Sequence, residues 1–63
     1  MARKEELLKK LAEDREAVRG LIRNGVSLET IESMLDHDTE HTAYERYLIW
    51  EAAYEELQRK EEM

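Results

Sequence analysis

The chain has no cysteine, no proline and no phenylalanine, and its 63 residues include only two glycines, Gly20 and Gly25. Without cysteine there is no disulfide framework, and the redox compartment stays open; the expected location is intracellular, in the cytoplasm. Without proline, the ends of regular elements must be read from capping side chains and from gaps in periodicity. No run approaches the roughly 20 apolar residues of a membrane span. The charged start Met1-Ala2-Arg3-Lys4-Glu5-Glu6 lacks the apolar stretch of a signal peptide, so no membrane partner is expected. Catalysis has no foothold: there is no glycine-rich phosphate loop, and neither Ser27 nor Ser33 shows a base and an orienting group around it. The chain is read as a non-enzyme.

What the sequence does have is charge on a helical pattern. Charged residues make up 41% and hydrophobic residues another 41%, and the apolar ones recur at helical spacing, which favours folding over disorder. A chain of this length forms one domain, 1–63, with a core that is marginal unless helped by a metal or a partner chain. Net charge is −6, but it is unevenly spread. Residues 1–26 set Arg3, Lys4, Lys9, Lys10, Arg15, Arg19 and Arg23 against five acids, for +2, while residues 27–63 carry −8. Phosphate-backbone binding needs clustered Lys and Arg, so direct nucleic-acid binding is disfavoured.

Leu7, Leu8, Leu11, Val18, Leu21 and Ile22 recur at three- and four-residue steps and predict a helix over about 3–23, interrupted in its stripe only at Asp14 and Arg15. Asn24-Gly25 suits a helix end, and Ser27 is a good N-cap for a second helix, 28–36, carrying Leu28, Ile31, Met34 and Leu35. Asp36-His37-Asp38-Thr39 breaks the stripe and offers caps for a third helix, 39–60. The fold expected is all-α, a small three-helix bundle. The alternative is one unbroken helix from 28 onward, giving a two-helix hairpin that would dimerise into a four-helix bundle.

The third helix is apolar on more than one face. Ala43, Tyr47, Trp50, Tyr54 and Leu57 make the better core seam by spacing, leaving Tyr44, Leu48 and Ala52 on a second row edged by Glu51 and Glu55. All four aromatics of the chain fall within residues 44–54, inside the span from Asn24 to Gln58 that carries nine acids and one base, Arg46. Aromatics are enriched at binding hot spots, and flanking acids orient a basic partner. Tyr44 and Leu48 are therefore the expected anchor of a partner-binding face, with Glu51 and Glu55 as its orienting charge.

Four smaller features remain. His37 and His41 lie four apart among Asp36, Asp38 and Glu40, a set able to hold zinc, and His37-Asp38-Thr39-Glu40-His41 resembles the His-Glu-x-x-His pattern of metalloproteases with Asp38 in place of the glutamate. The match ends with these five residues and no substrate cleft fits a chain this small, so no cofactor is expected and zinc at His37 and His41 is the secondary reading. Asp14 in the first stripe needs a polar partner, a tyrosine hydroxyl or Arg15. Gly20 interrupts a helix at about 1 kcal/mol relative to alanine. Residues 3–13 resemble the Leu/Glu/Lys-rich helices of de novo designed miniproteins, which leaves natural and engineered origin both open.

The leading expectation is a non-enzymatic acidic module that presents its third helix to a basic site on a macromolecular partner: an inhibitor or regulator of a nucleic-acid-binding protein if natural, a designed binder or scaffold if engineered. The alternatives are a self-associating structural bundle, monomer or homodimer by state, and a bundle stapled by metal through His37 and His41.

Overall fold

A computed structural model describes residues 2–62. Its elements are α1 (Ala2–Lys10), α2 (Ala12–Arg23), α3 (Leu28–Asp36) and α4 (Ala43–Glu62), so the architecture is all-α. The single helix expected over 3–23 is divided at Leu11, whose φ of −95° and ψ of 8° open the turn slightly. The hydrogen-bond ladder still passes through it: the Leu11 N–H donates to the Leu7 carbonyl at 2.8 Å and the Arg15 N–H to the Leu11 carbonyl at 2.8 Å. The break is confined to this one residue of the first rod, α1 and α2, and Leu11 is buried in the core.

The α2–α3 turn follows its sequence signals. Gly25 takes a φ of 95°, which an L side chain resists, and the Val26 and Gly25 amides reach back to the carbonyls of Leu21 and Ile22, closing a Schellman end. Ser27, extended at ψ 155°, then accepts from the Thr30 N–H and starts α3. The α3–α4 link departs from expectation. Residues 39–42 are not helical, and α4 begins at Ala43 because Thr42 and Glu45 form a capping box. The Glu45 N–H donates to Thr42 Oγ1 at 3.1 Å and the Thr42 N–H donates to Glu45 Oε1 at 2.9 Å, which satisfies two amides that a helix start leaves orphaned. Asp38 accepts from the Glu40 N–H at 2.8 Å and shapes the turn before it. This cap excludes the unbroken helix from 28 onward.

α4 is the axis of the bundle, with α2 against one flank and α3 against the other. Contacts of the first rod with α4 hold a nearly constant offset, Lys10 to Glu45, Arg15 to Leu48 and Arg23 to Glu56, so α2 and α4 run parallel. α3 returns between their ends antiparallel to both, bringing Glu32 to Trp50. The core joins Leu11, Val18 and Ile22 to Ile31 of α3 and to Leu48, Ile49, Ala52 and Ala53 of α4, with Leu7, Leu8, Leu21, Leu28, Leu35 and Leu57 packed around it. Two alanines at the centre let three helices approach closely, as a core with so few large side chains requires.

That core overturns the expected facing of the last helix. Ala43, Tyr47 and Tyr54 are exposed, Trp50 is half-buried, and only Leu57 of the proposed seam joins the packing. The row that was expected to face outward, Leu48 and Ala52, is the buried one, at 0% exposure each. Spacing favoured the aromatic row; packing chose the aliphatic one because compact branched and small side chains fill a tight three-helix space without stranding a hydroxyl or an indole N–H.

Candidate protein-binding face

Turning the aliphatic row inward sets all four aromatics on the outer side of α4 in one continuous row. Tyr44 and Tyr47 have ring centroids 6.4 Å apart, Tyr47 and Trp50 6.2 Å, and Trp50 and Tyr54 5.1 Å, with interplanar angles of 15°, 27° and 16°. Each step is three or four residues, the spacing that stacks side chains along one helix face. Tyr44, Tyr47 and Tyr54 remain 45%, 51% and 40% exposed, and Met34 of α3 is exposed at 53%. The row is pinned at two points: the Trp50 Nε1–H donates to Glu32 Oε2 at 2.9 Å, and the Gln58 amide donates to the Tyr54 hydroxyl at 2.7 Å. Mutual stacking removes rotamer freedom that each ring would otherwise lose on meeting a partner.

The acids on the two flanks of α4 are treated differently. Toward the first rod, each is neutralised. Lys10 Nζ meets Glu45 Oε2 at 3.1 Å, Arg15 lies 3.5 Å from Glu51 and 3.7 Å from Glu55, and Arg23 Nε lies 3.3 Å from Glu56 Oε2. Arg15 is largely buried and also donates through Nε to the Leu48 carbonyl at 3.1 Å. The hole in the first apolar stripe is thus an arginine reaching across to α4. Toward α3, Glu32 and Asp36 are exposed, lie on one helical face four residues apart, and belong to no ion pair among the described residues. They line an open groove with Leu35, Arg46, Tyr47 and Trp50.

Of the residues expected to bind a partner, Tyr44 stays exposed on the outer side of α4. Leu48 does not: it is fully buried and is a core residue. Glu51 and Glu55 face Arg15 and hold α4 to α2. The residues that sequence reasoning placed in the core, Tyr47, Trp50 and Tyr54, form the face instead, and Glu32 and Asp36 of α3 supply its unpaired charge. A signal for this was present: the first helical stretch carries the bases Lys10, Arg15 and Arg23, and the last one carries the acids Glu45, Glu51, Glu55 and Glu56 to match them.

His37 and His41 are not brought together as a ligand pair. The His37 ring, exposed, donates through Nδ1 to the Ser33 carbonyl at 2.8 Å. His41 lies between two carboxylates, with Nδ1 2.5 Å from Asp38 Oδ2 and Nε2 3.4 Å from Asp14 Oδ2. With both nitrogens facing acceptors the imidazolium is the favoured form and has no lone pair to offer a metal. The hydrogen bond that His41 donates to Asp38 raises His41 above its ordinary 6.5, and the Glu40 amide together with His41 holds Asp38 below its ordinary 3.8. Asp14, expected to seek a tyrosine or Arg15, is thereby exposed and paired with His41. Among the described residues no group of three or more potential ligands is arranged for a metal ion, and no helix is long and apolar enough to cross a membrane.

No protein-family model, no curated protein and no solved structure matches this chain.

Proposed function

We propose that the chain is a non-enzymatic, acidic protein-binding module whose recognition face is the aromatic row of α4, Tyr44, Tyr47, Trp50 and Tyr54, together with the adjoining acids of α3. The observation that carries the reading is the row itself. Small folded chains bury large aromatics when they can, and a contiguous exposed patch of them marks an interaction site. Tyr and Trp supply wide, rigid contact area with few rotors to immobilise, which suits hot-spot anchors. A net charge of −6 adds long-range attraction for a basic partner, including the phosphate-binding groove of a nucleic-acid-binding protein.

A photo-crosslinking residue placed at Tyr44 or Tyr54, and separately at the exposed Ala17 of α2, tests the location. The face predicts adducts to one macromolecule from the first two positions and none from Ala17. The purified partner should then bind the parent chain at least about tenfold more tightly than Tyr44→Ser with Tyr47→Ser, a variant first checked to be folded by its thermal melt. Adducts from Ala17 alone would place recognition on α2. Adducts of the chain only to itself would make the row a self-association surface, the reading that the same exposed rings also support.

A further inference from the structure

Within that face one groove carries a chemical specificity of its own. Its α3 wall presents Glu32, Leu35 and Asp36, the two carboxylates on successive turns; its α4 wall presents Arg46 and the rings of Tyr47 and Trp50. Four acids of α4 that face the first rod have each found a lysine or arginine of this chain, whereas Glu32 and Asp36 have none among the described residues. Glu32 is held ready: Trp50 Nε1–H occupies Oε2 at 2.9 Å, which fixes the carboxylate and leaves Oε1 as an acceptor. The groove's own cation, Arg46, donates through Nη1 to the Asp38 carbonyl at 3.2 Å in the turn and forms no ion pair with Glu32 or Asp36. The site therefore combines two carboxylates outside any ion pair among the described residues with flat π surfaces, and its single lining cation is held by a backbone carbonyl rather than by either carboxylate.

We infer that this groove receives an arginine side chain of the partner, with the guanidinium bonded to Glu32 and Asp36 and laid against the Tyr47 and Trp50 rings. The inference rests on the binding face proposed above and names the chemistry of what it binds. Guanidinium suits the walls better than ammonium does. It is planar, so it stacks on phenol and indole faces, it is more weakly hydrated, and its forked N–H groups can bridge two carboxylates at once. Lysine offers the same charge as a compact, strongly hydrated point and loses the stacking.

Trp50 is the chain's only tryptophan and lines the groove, so its emission reads occupancy directly. The probes are three 12-residue peptides built from Ala-X-Leu-Ala repeats with X as arginine, lysine or citrulline, the last being the neutral analogue of arginine. The arginine peptide should change Trp50 emission saturably, the lysine peptide should bind about tenfold more weakly, and the citrulline peptide should give no saturable change. Glu32→Gln with Asp36→Asn, both exposed positions, should melt like the parent and lose the arginine preference, while Glu29→Gln on the same helix should keep it. Equal binding of arginine and lysine peptides, or an arginine preference that survives the double substitution, overturns the inference. So does the absence of binding by all three, and so does emission that depends on the chain's own concentration, which would seat a second copy there. Crosslinking from Tyr44 and Tyr54 is independent of these peptides, so a face that captures its partner while the groove ignores arginine would sink this inference alone.

Discussion

The two flanks of α4 use the same residue types to opposite ends. On the α2 flank, aliphatic side chains meet at close range and every acid of α4 there lies beside a base of the first rod, with Glu56 Oε1 the buried oxygen left without a hydrogen-bond partner among the described residues. On the outer flank, aromatic rings stack on one another and acids of α3 stand without a base among the described residues. A surface whose apolar area and charge are satisfied from within contributes to stability. One whose apolar area and charge are left over has both the area and the field to attract something else. The difference lies in where the cations of the chain sit: seven of them precede residue 27, on the rod that covers only one flank.

The comparison breaks most sharply at Leu48 and Tyr47, neighbours in sequence on opposite flanks. Leu48→Ala should destabilise by about 2–5 kcal/mol, since a fully buried leucine loses its transfer energy and leaves a cavity, whereas Tyr47→Ala should cost under about 1 kcal/mol. Denaturant unfolding of the pair decides it; a larger loss for Tyr47 would mean that the helix faces are reversed.

Arginine 15 sharpens the electrostatic side of the contrast. Arg15→Ala removes a donor to the Leu48 carbonyl and strips Glu51 and Glu55 of their cation, and should cost about 1–3 kcal/mol. Asp36→Asn on the other flank should leave the midpoint within about 0.5 kcal/mol of the parent, because no ion pair is broken. Equal effects from the two substitutions would erase the distinction between matched and unmatched charge.

Titration gives a smaller, two-sided effect at the end of the bundle where α2 meets the α3–α4 turn. His41 is raised above 6.5, so its pairing with Asp38 and Asp14 stabilises the fold fully below that value and is lost as pH rises through the raised one. Asp38 and Glu45 are lowered from 3.8 and 4.5, the latter by the Thr42 amide first and Lys10 second. Their contribution is present above those values and disappears as pH falls through the lowered ones. Melting temperature should therefore be highest between 4.5 and 6.5. His41→Gln should flatten the alkaline decline and keep the part of the acid decline that belongs to Glu45. A profile in which the alkaline limb survives that substitution would assign it to another group.

The smallest effect is expected at Gly20, where a Cβ would meet nothing within 4 Å. Gly20→Ala should stabilise by about 0.5–1 kcal/mol by restricting the unfolded chain and favouring α2. It should leave binding at the aromatic face unchanged, since the position lies on α2. A destabilised variant would show that the helix needs glycine there for a reason other than space.

The sequence by itself determined the all-α class, the stripe of Leu7, Leu11, Val18 and Ile22, the turn at Asn24-Gly25 and the cap at Ser27, because each rests on local rules of spacing and backbone geometry. The start of α4 was also written there, in Thr42-Ala43-Tyr44-Glu45, a capping box that the more conspicuous acids of residues 36–40 obscured. Which face of α4 is core was decided only in three dimensions. Tyr47-Trp50-Tyr54 and Leu48-Ala52 repeat with the same period, and periodicity carries no information about the shape of the space to be filled or about the bases waiting across it. Arg15 reaching Leu48, Glu51 and Glu55 fixes the rotation of the helix, and with it the aromatic row turns outward and Leu48 inward. His41 likewise finds Asp14, 27 positions away in the chain, only because α2 and the α3–α4 turn meet at one end of the bundle.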